Sequence, residues 1–463
     1  MKQKIFALSA VAVLVPALIA SQSARAQTFT TLHSFDSTDG ASPRTLVQAT
    51  NGNLFGATEE GGTNGDGTVF EITTTGTLKT LHSFDGTDGV QPNRVVQDTN
   101  GDLYGTTTGG GTTNDGTVFQ ITTGGKLKTL QSFDSTDGSI PKGAPIQATN
   151  GKLYGITNSG GTNGDGTVFA ITTNGTLATL YNFCGQTGCT DGETPLASLI
   201  QAADGNFYGT TSAGGTNGYG TVFQITTSGT LTTLHSFDGT DGAYPYFAPL
   251  VQATNGYLYG TTSAGGTNGG GTVFQITTSG TLTTLHSFDG SDGSAPVSGL
   301  IQATNGKLYG TTEQNGTNGG GTVFEITTGG KLTTLYNFCS QTNCTDGSAP
   351  IAGLLQDTNG KFYGTTSAGG TNGYGTVFRL SSGLGAFVET QMTSGAVGAP
   401  VKILGTNLTG TTSVTFDGTP ATFAVVSKSE ISTTVPAGAT TGPVEVTIPS
   451  GPLTSNVSFV VTP

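Results

Sequence analysis

Residues 249–288 show four short hydrophobic–polar patterns in succession. An apolar stretch at 249–253 (strand a) meets Asn255-Gly256, and 257–262 (strand b) leads into a Gly-rich loop at 265–271. At 272–277 (strand c), Val273, Gln275 and Thr277 alternate with Phe274 and Ile276, the period of two of a strand. Ser279-Gly280 then turns the chain into 281–288 (strand d). There Leu282, Leu285 and Phe288 alternate imperfectly, so a bulge or kink is expected. Asn255-Gly256 is expected to form a two-residue hairpin turn, because both residues tolerate positive φ.

This pattern repeats. The aromatic of the Leu-Tyr-Gly string recurs at Phe55, Tyr104, Tyr154, Tyr208, Tyr259, Tyr309 and Tyr363, with spacings of 49, 50, 54, 51, 50 and 54. The Gly-Thr-Val-Phe string ends at Phe70, Phe119, Phe169, Phe223, Phe274, Phe324 and Phe378, and strand d ends at Phe35, Phe84, Phe133, Phe183, Phe237, Phe288 and Phe338. Four antiparallel strands per roughly 50 residues is the signature of a propeller blade. Strand d comes first, near Thr28, and the last repeat stops after strand c near Leu380. Seven d strands and seven abc sets are thus out of phase, and a ring resolves the mismatch. The expected fold is all-β: a seven-bladed β-propeller over 27–380, closed by the N-terminal strand. After 381–385, a linker, the period is lost. Short alternating stretches at 401–403, 413–416, 421–426, 430–435, 444–448 and 457–461 predict an immunoglobulin-like β-sandwich over 386–463.

Composition agrees with turn-rich β structure. Gly numbers 76, charged residues are 10% and Trp is absent, against roughly 25% charged residues in an average domain. A large helical enzyme is excluded on these grounds, and the lack of a Gly-X-Y period excludes collagen. Residues 1–26 read as a secretory signal peptide: Lys2 and Lys4, an apolar run, then Ala24-Arg25-Ala26 before Gln27. Its removal leaves 13 basic against 29 acidic residues, a net −16. Nucleic acid and anionic membranes are therefore poor partners, and no later segment is apolar enough to span a bilayer. A secreted or surface-exposed monomer is expected.

The strings Asn-Gly-x-Leu-Tyr-Gly-Thr-Thr, Gly-Gly-Thr-Asn-Gly-x-Gly-Thr-Val-Phe and Leu-Thr-Thr-Leu-His-Ser-Phe resemble the GloVer tandem repeat of bacterial extracellular proteins. That resemblance implies export and supplies no reaction and no catalytic residues. In the C-terminal part, Ile403-Leu404-Gly405-Thr406-Asn407-Leu408, Val414-Thr415-Phe416-Asp417-Gly418 and Val435-Pro436-Ala437-Gly438-Ala439 resemble the IPT/TIG family. This implies a binding or spacer module.

Blade topology places the b–c and d–a loops on one face. These loops are long, polar and variable, where function concentrates. They carry three candidate ligand-binding pairs: Asp85 with Asp88, Asp238 with Asp241, and Asp289 with Asp292. Asp36 with Asp39 and Asp134 with Asp137 are further copies. Three chemistries compete for these pairs. Asp can cap its own turn, contribute to a calcium site that needs six to eight oxygens, or bond sugar hydroxyls. Repetition fits turn chemistry best. Tyr219, Tyr244, Tyr246 and Tyr374 break the symmetry and are the stronger ligand candidates. Cys184 with Cys189 and Cys339 with Cys344 are expected to form local disulfides, as suits an exported chain. Zinc is disfavoured by the spacing and the lack of nearby His, and no cofactor is expected. His33, His82, His235 and His286 share one strand-d position with Gln131, Tyr181 and Tyr336, which points to structure. Two functions follow. One is an exported, non-enzymatic binding or adhesion protein engaging a glycan or surface protein. The other is a polysaccharide-acting enzyme in the propeller funnel, which would need two carboxylates roughly 5–10 Å apart. A purely structural surface role is a third.

Overall fold

The computed structural model describes residues 27–462. The signal peptide expected at 1–26 lies outside the described residues. The chain is all-β, and its helical turns among the described residues are two 3-10 turns, Thr187–Cys189 and Thr342–Cys344. No helix among the described residues is long and apolar enough to cross a membrane.

Residues 28–381 form seven antiparallel sheets, each carrying strands a, b, c and d. In the fifth sheet these are Val251–Gln252, Leu258–Thr262, Thr272–Ile276 and Leu282–Ser287, side by side in chain order. Strand a is shorter than the apolar pattern suggests. Pro249 has no N–H to give, and the Ala253 N–H already belongs to the turn, donating to Tyr257 O at 3.0 Å. That turn is also longer than two residues. Gly256 donates to Ala253 O at 2.8 Å, and Gly256 alone takes a positive φ, +85°, so this is a longer turn closed by a glycine bulge. Asn255 contributes its side chain instead: Oδ1 accepts the Tyr257 N–H at 3.2 Å, and Nδ2 donates to the Tyr259 hydroxyl at 2.7 Å.

Strand d bulges where its alternation falters. Val273 faces His286 and Phe274 faces Thr284, leaving Leu285 as the extra residue. The same shift occurs in the other six sheets. It lets Leu285 pack against the core between sheets while His286 stays at the edge. The glycine of Leu-Tyr-Gly has a packing cause. A Cβ on Gly260 would sit 2.5 Å from the Phe274 ring and 2.8 Å from Leu250.

Each sheet packs on the next through one repeated contact. The strand-d Phe meets the next sheet's strand-c Phe edge-on, with ring centroids 5.2–5.4 Å apart. Such a pair contributes about 0.5–1.5 kcal/mol beyond its buried area. The buried Tyr of strand b joins the same clusters, as Tyr259 does beside Phe288 and Phe324. The N-terminal strand Thr28–Ser34 pairs antiparallel with Thr376–Ser381 and supplies strand d of the last sheet. Its Phe35 then packs with Leu46, Leu54 and Phe70 of the first sheet. A relay of glutamines follows the same path. Gln302 Oε1 accepts the Thr254 N–H of the preceding sheet at 2.8 Å, and Gln48 accepts that of Thr358, last sheet to first, at 3.0 Å.

Beyond Ser381 the strands pair among themselves. Two four-stranded sheets and a two-stranded ladder, Ser394–Ala396 with Val460–Thr462, surround one core containing Ile403, Val414, Phe416, Ile431, Val446 and Phe459. This unit contacts the a–b turns of the repeat region. Gln391 Nε2 donates to Asp98 O at 2.9 Å, Lys402 Nζ to Thr99 O at 3.0 Å and Ser429 Oγ to Thr50 O at 2.8 Å. The segment expected as a linker is held as well: Leu384 packs on the last interface, and the Phe387 N–H reaches Thr358 O at 3.0 Å.

A basic channel and its tyrosine rim

Each d–a loop ends in a residue followed by proline: Ser42, Gln91, Ile140, Thr194, Tyr244, Ala295 and Ala349. All seven take φ between 50° and 57°, the left-handed region, although none is glycine. That costs on the order of 1 kcal/mol each and persists because the backbone is tied on the far side. The Tyr244 N–H donates to Tyr219 O of the preceding sheet at 2.9 Å, and Ser42 does the same to Tyr374 O at 3.1 Å, again last sheet to first. Each proline then lies over the glycine before strand c of its neighbour, as Pro245 does over Gly220.

The residues after these prolines line a cavity of about 80 Å³ among the inner segments. There the repeat is broken. Three successive sheets contribute Arg44, Arg94 and Lys142, whereas the next sheets contribute apolar groups such as Leu196 and Phe247. The segments abut closely: a Cβ on Gly143 would lie 2.8 Å from the Ser198 backbone. Phe247 and Ile351 also line a wider adjoining cavity of about 340 Å³, together with Tyr246, Val297 and Glu313.

Electrostatics differ among the three cations. Arg44 pairs with Glu59, and its guanidinium carbon lies 5.3 Å from the Phe247 ring centre. Arg94 and Lys142 make no ion pair or hydrogen bond among the described residues. Burial lowers the pKa of both. For Lys142 the Glu59 charge opposes that shift and the Arg44 charge adds to it. An arginine stays charged regardless. Burial raises the Glu313 pKa, with Arg44 opposing. Arg44 Nε, Arg94 Nε and Ser198 Oγ are buried without a protein hydrogen-bond partner.

The tyrosines meet this channel unequally. Tyr219 and Tyr244 pack edge-on at 5.7 Å, and Tyr246 meets Phe247 at 4.5 Å. Tyr244 and Tyr246 are each 42% exposed; Tyr246 lines the wider cavity, whereas Tyr219 and Tyr244 pack on each other and are not part of its lining. Tyr374 is 43% exposed and stands apart, over the junction of last and first sheets.

The Asp pairs are occupied in their own turns. Asp85 Oδ1 accepts the Thr87 N–H at 3.0 Å and hydroxyl at 2.7 Å, while the Asp85 N–H reaches Asp88 Oδ1 at 3.1 Å. Asp88 Oδ2 then bonds His82 Nε2 at 2.6 Å. In the next such loop, Asp241 Oδ1 accepts the Asp238 N–H at 3.0 Å, and Asp241 Oδ2 bonds His235 Nε2 at 2.6 Å. Likewise, Asp292 Oδ1 accepts the Asp289 N–H at 3.2 Å, and Asp292 Oδ2 bonds His286 Nε2 at 2.6 Å. Asp238 and Asp289 accept the Thr240 and Ser291 hydroxyls, each at 2.7 Å. Asp85, Asp88, Asp238, Asp241, Asp289 and Asp292 therefore form turns, the chemistry that their repetition favoured among the three readings. Asp88, Asp241 and Asp292 in particular have both carboxylate oxygens engaged, one by backbone and one by histidine. Where His is replaced, Gln131 bonds Asp137 at 3.0 Å and the Tyr181 and Tyr336 hydroxyls bond Asp191 and Asp346 at 2.7 and 2.8 Å. The shared acceptor explains the interchange. Disulfides join Cys184 to Cys189 and Cys339 to Cys344. Asp165 and Glu193 place carboxylate oxygens within 4.8 Å of the first pair of sulfurs, but bonded sulfurs are not thiolate ligands.

Arg44, Arg94 and Lys142 were not among the residues singled out from the sequence. Aligning the repeats on the loop proline would have exposed them, since basic residues follow Pro43, Pro92 and Pro141 only.

No curated protein matches the chain in sequence. Among solved structures, a fungal alcohol oxidase of the AA5 family, in complex with copper, is 14% identical over 94% of this chain and 99% of that chain, with a TM-score of 0.55. At that identity the likeness concerns the fold alone. A PQQ-bound aldose sugar dehydrogenase from Streptomyces coelicolor is 14% identical over 77% of this chain and 98% of that chain, with a TM-score of 0.40. A protein of unknown function from Bacteroides thetaiotaomicron is 13% identical over 77% and 76%, with a TM-score of 0.43. The Gloeobacter/Verrucomicrobia repeat matches residues 19–203 and 195–422, and the IPT/TIG domain matches 388–461. The second repeat match runs past Ser381, where the strands already pair within the C-terminal unit, so the sheets end the repeat region at Ser381. The chain belongs to the Gloeobacter/Verrucomicrobia repeat family and carries a C-terminal IPT/TIG domain.

Proposed function

We propose that this chain is an exported, non-enzymatic binding protein. Its seven sheets are the blades of a propeller closed by the N-terminal strand, followed by an immunoglobulin-like sandwich that acts as a spacer or second contact. The long-loop face engages a glycan. The reading of the ring is supported by seven equivalent Phe–Phe contacts that run from each sheet to the next and from the last to the first. Export is supported by the leader-like sequence at 1–26 and by the two disulfides, which suit an oxidising compartment.

The observation that carries the binding reading is the exposed pair Tyr244 and Tyr246, with Tyr219 packed on the first and Phe247 on the second, Tyr246 and Phe247 lining the 340 Å³ cavity. It occurs at one point of an otherwise repeated rim. Exposed tyrosines offer flat apolar faces for sugar rings and hydroxyls for hydrogen bonds. A glycan array on the mature protein tests it. The expected result is binding that drops at least tenfold in Tyr244→Ala and Tyr246→Ala. An array with no bound glycan, or binding indifferent to both substitutions, would refute the proposal.

A further inference from the structure

We infer that the channel between the inner segments is an anion site, in which Arg94 and Lys142, flanked by Arg44, hold the acidic group of a small ligand such as a sugar acid. This goes beyond the rim reading and rests on the cations of the channel, sharing only the Tyr246 and Phe247 wall with that reading. The first support is placement. Only 16 of the 463 residues are Lys or Arg and the formal net charge is −13, yet three of those cations converge on one narrow cavity. The second is compensation. Arg44 has Glu59, but Arg94 and Lys142 have no counter-charge in contact among the described residues. Burying an unpaired charge is unfavourable unless a partner arrives.

The third support is the set of unsatisfied groups. Arg44 Nε, Arg94 Nε and Ser198 Oγ are buried, unpartnered and all in the lining of the same cavity. A guanidinium fork matches the oxygens of a carboxylate, sulfate or phosphate, and an ammonium adds a point charge. Size then separates the ligand into two parts. The cationic end, about 80 Å³, suits an acidic group, while the adjoining 340 Å³ beside Phe247 and Tyr246 suits a ring. Phe247 sits at the join and contributes to both walls.

Titration calorimetry of the mature protein with glucuronate, inorganic phosphate, sulfate and glucose tests this. At least one of the three anions is expected to bind once per chain, with an affinity that falls as salt is added, while glucose gives no heat. Arg94→Gln and Lys142→Gln should each weaken that binding at least tenfold. Without anion, Arg94→Gln should melt no lower than the parent, because it removes an unpaired, half-buried charge whose Nε is fully buried. A marked drop in its melting temperature would show that protein groups already satisfy Arg94, and would overturn the proposal. Silence from all three anions, equal binding of glucose, or parent-like affinity in both variants would overturn it too. The rim reading fails separately: array binding that survives Tyr244→Ala bears on the rim, whereas phosphate or glucuronate binding bears on the channel, whose lining does not include Tyr244.

Discussion

At the scale of single residues, the unusual composition has specific causes. Threonine recurs because each sheet buries a hydroxyl pair. Thr262 Oγ1 lies 2.8 Å from Thr272 Oγ1, accepts the Thr272 N–H at 3.2 Å and donates to Ala264 O at 3.0 Å. Thr262→Val keeps the shape and strands these partners, so it should cost about 1–3 kcal/mol. The urea midpoint should fall with little change in slope. Lys142 supplies a second residue-scale prediction. The charged groups of the channel around it are Arg44, Arg94, Glu59 and Glu313. Burial lowers its pKa in the folded state, so the native protein sheds this proton before the unfolded chain does, near pH 10.4. Stability of the anion-free protein should therefore rise with pH between the lowered value and about 10.4. Affinity for the anion should fall over the same range. Lys142→Arg, which stays charged, should remove both trends in melting and calorimetric series.

At the scale of elements, the d–a turn is a cooperative unit. The Asp36, Asp85, Asp134, Asp238 and Asp289 carboxyls are held below the usual range, chiefly by hydrogen bonds from the side chains of Thr38, Thr87, Thr136, Thr240 and Ser291. A folded pKa below the unfolded one stabilises above the ordinary carboxylate value, about 3.9, and that contribution is lost as pH falls through the folded value. Melting temperatures should decline below about pH 4, and Thr87→Ala with Ser291→Ala should lower the melting temperature at neutral pH and make the decline on acidification shallower. The element boundaries were legible to within a residue or two for strands b, c and d, because Gly-containing turns bracket each strand and the same strings recur in every copy. The Asn-Gly turn was not. Its type depends on whether Asn255 spends its side chain on Tyr257 and Tyr259, and two adjacent letters do not carry that information.

At the scale of the whole molecule, the seam between the repeat region and the C-terminal unit is pH-sensitive. Burial pushes the Glu389 carboxyl up to about 7, helped by the Asp357 charge, and burial pushes Asp357 up to about 6 against its bond from Asn359 and the Lys361 charge. Here the sign is opposite to that of the turn aspartates. The folded state binds more protons than the unfolded state between about pH 4 and pH 7. Stability at the seam should fall across that window and level off above it. Hydrogen exchange of the Phe387 and Val388 amides at pH 5 and pH 8 checks this: faster opening at pH 8 is expected, Glu389→Gln should reduce the difference, and Glu389→Gln with Asp357→Asn should abolish it.

The sequence by itself determined the repeat, its four strands, the disulfide partners and the family. All of these are written in local period or in near-identical copies, and a buried face with a period of two leaves a mark in every repeat. Only the tertiary structure decided which chemistry meets. Arg44, Arg94 and Lys142 stand about 50 residues apart, and each looks ordinary alone; they converge because seven left-handed residues before proline turn equivalent segments toward one channel. The same geometry tied Asp88, Asp241 and Asp292 to the histidines of their own turns and set Tyr219 against Tyr244 across neighbouring segments. Convergence of segments from different sheets depends on distances between those sheets, and a linear pattern does not encode those distances.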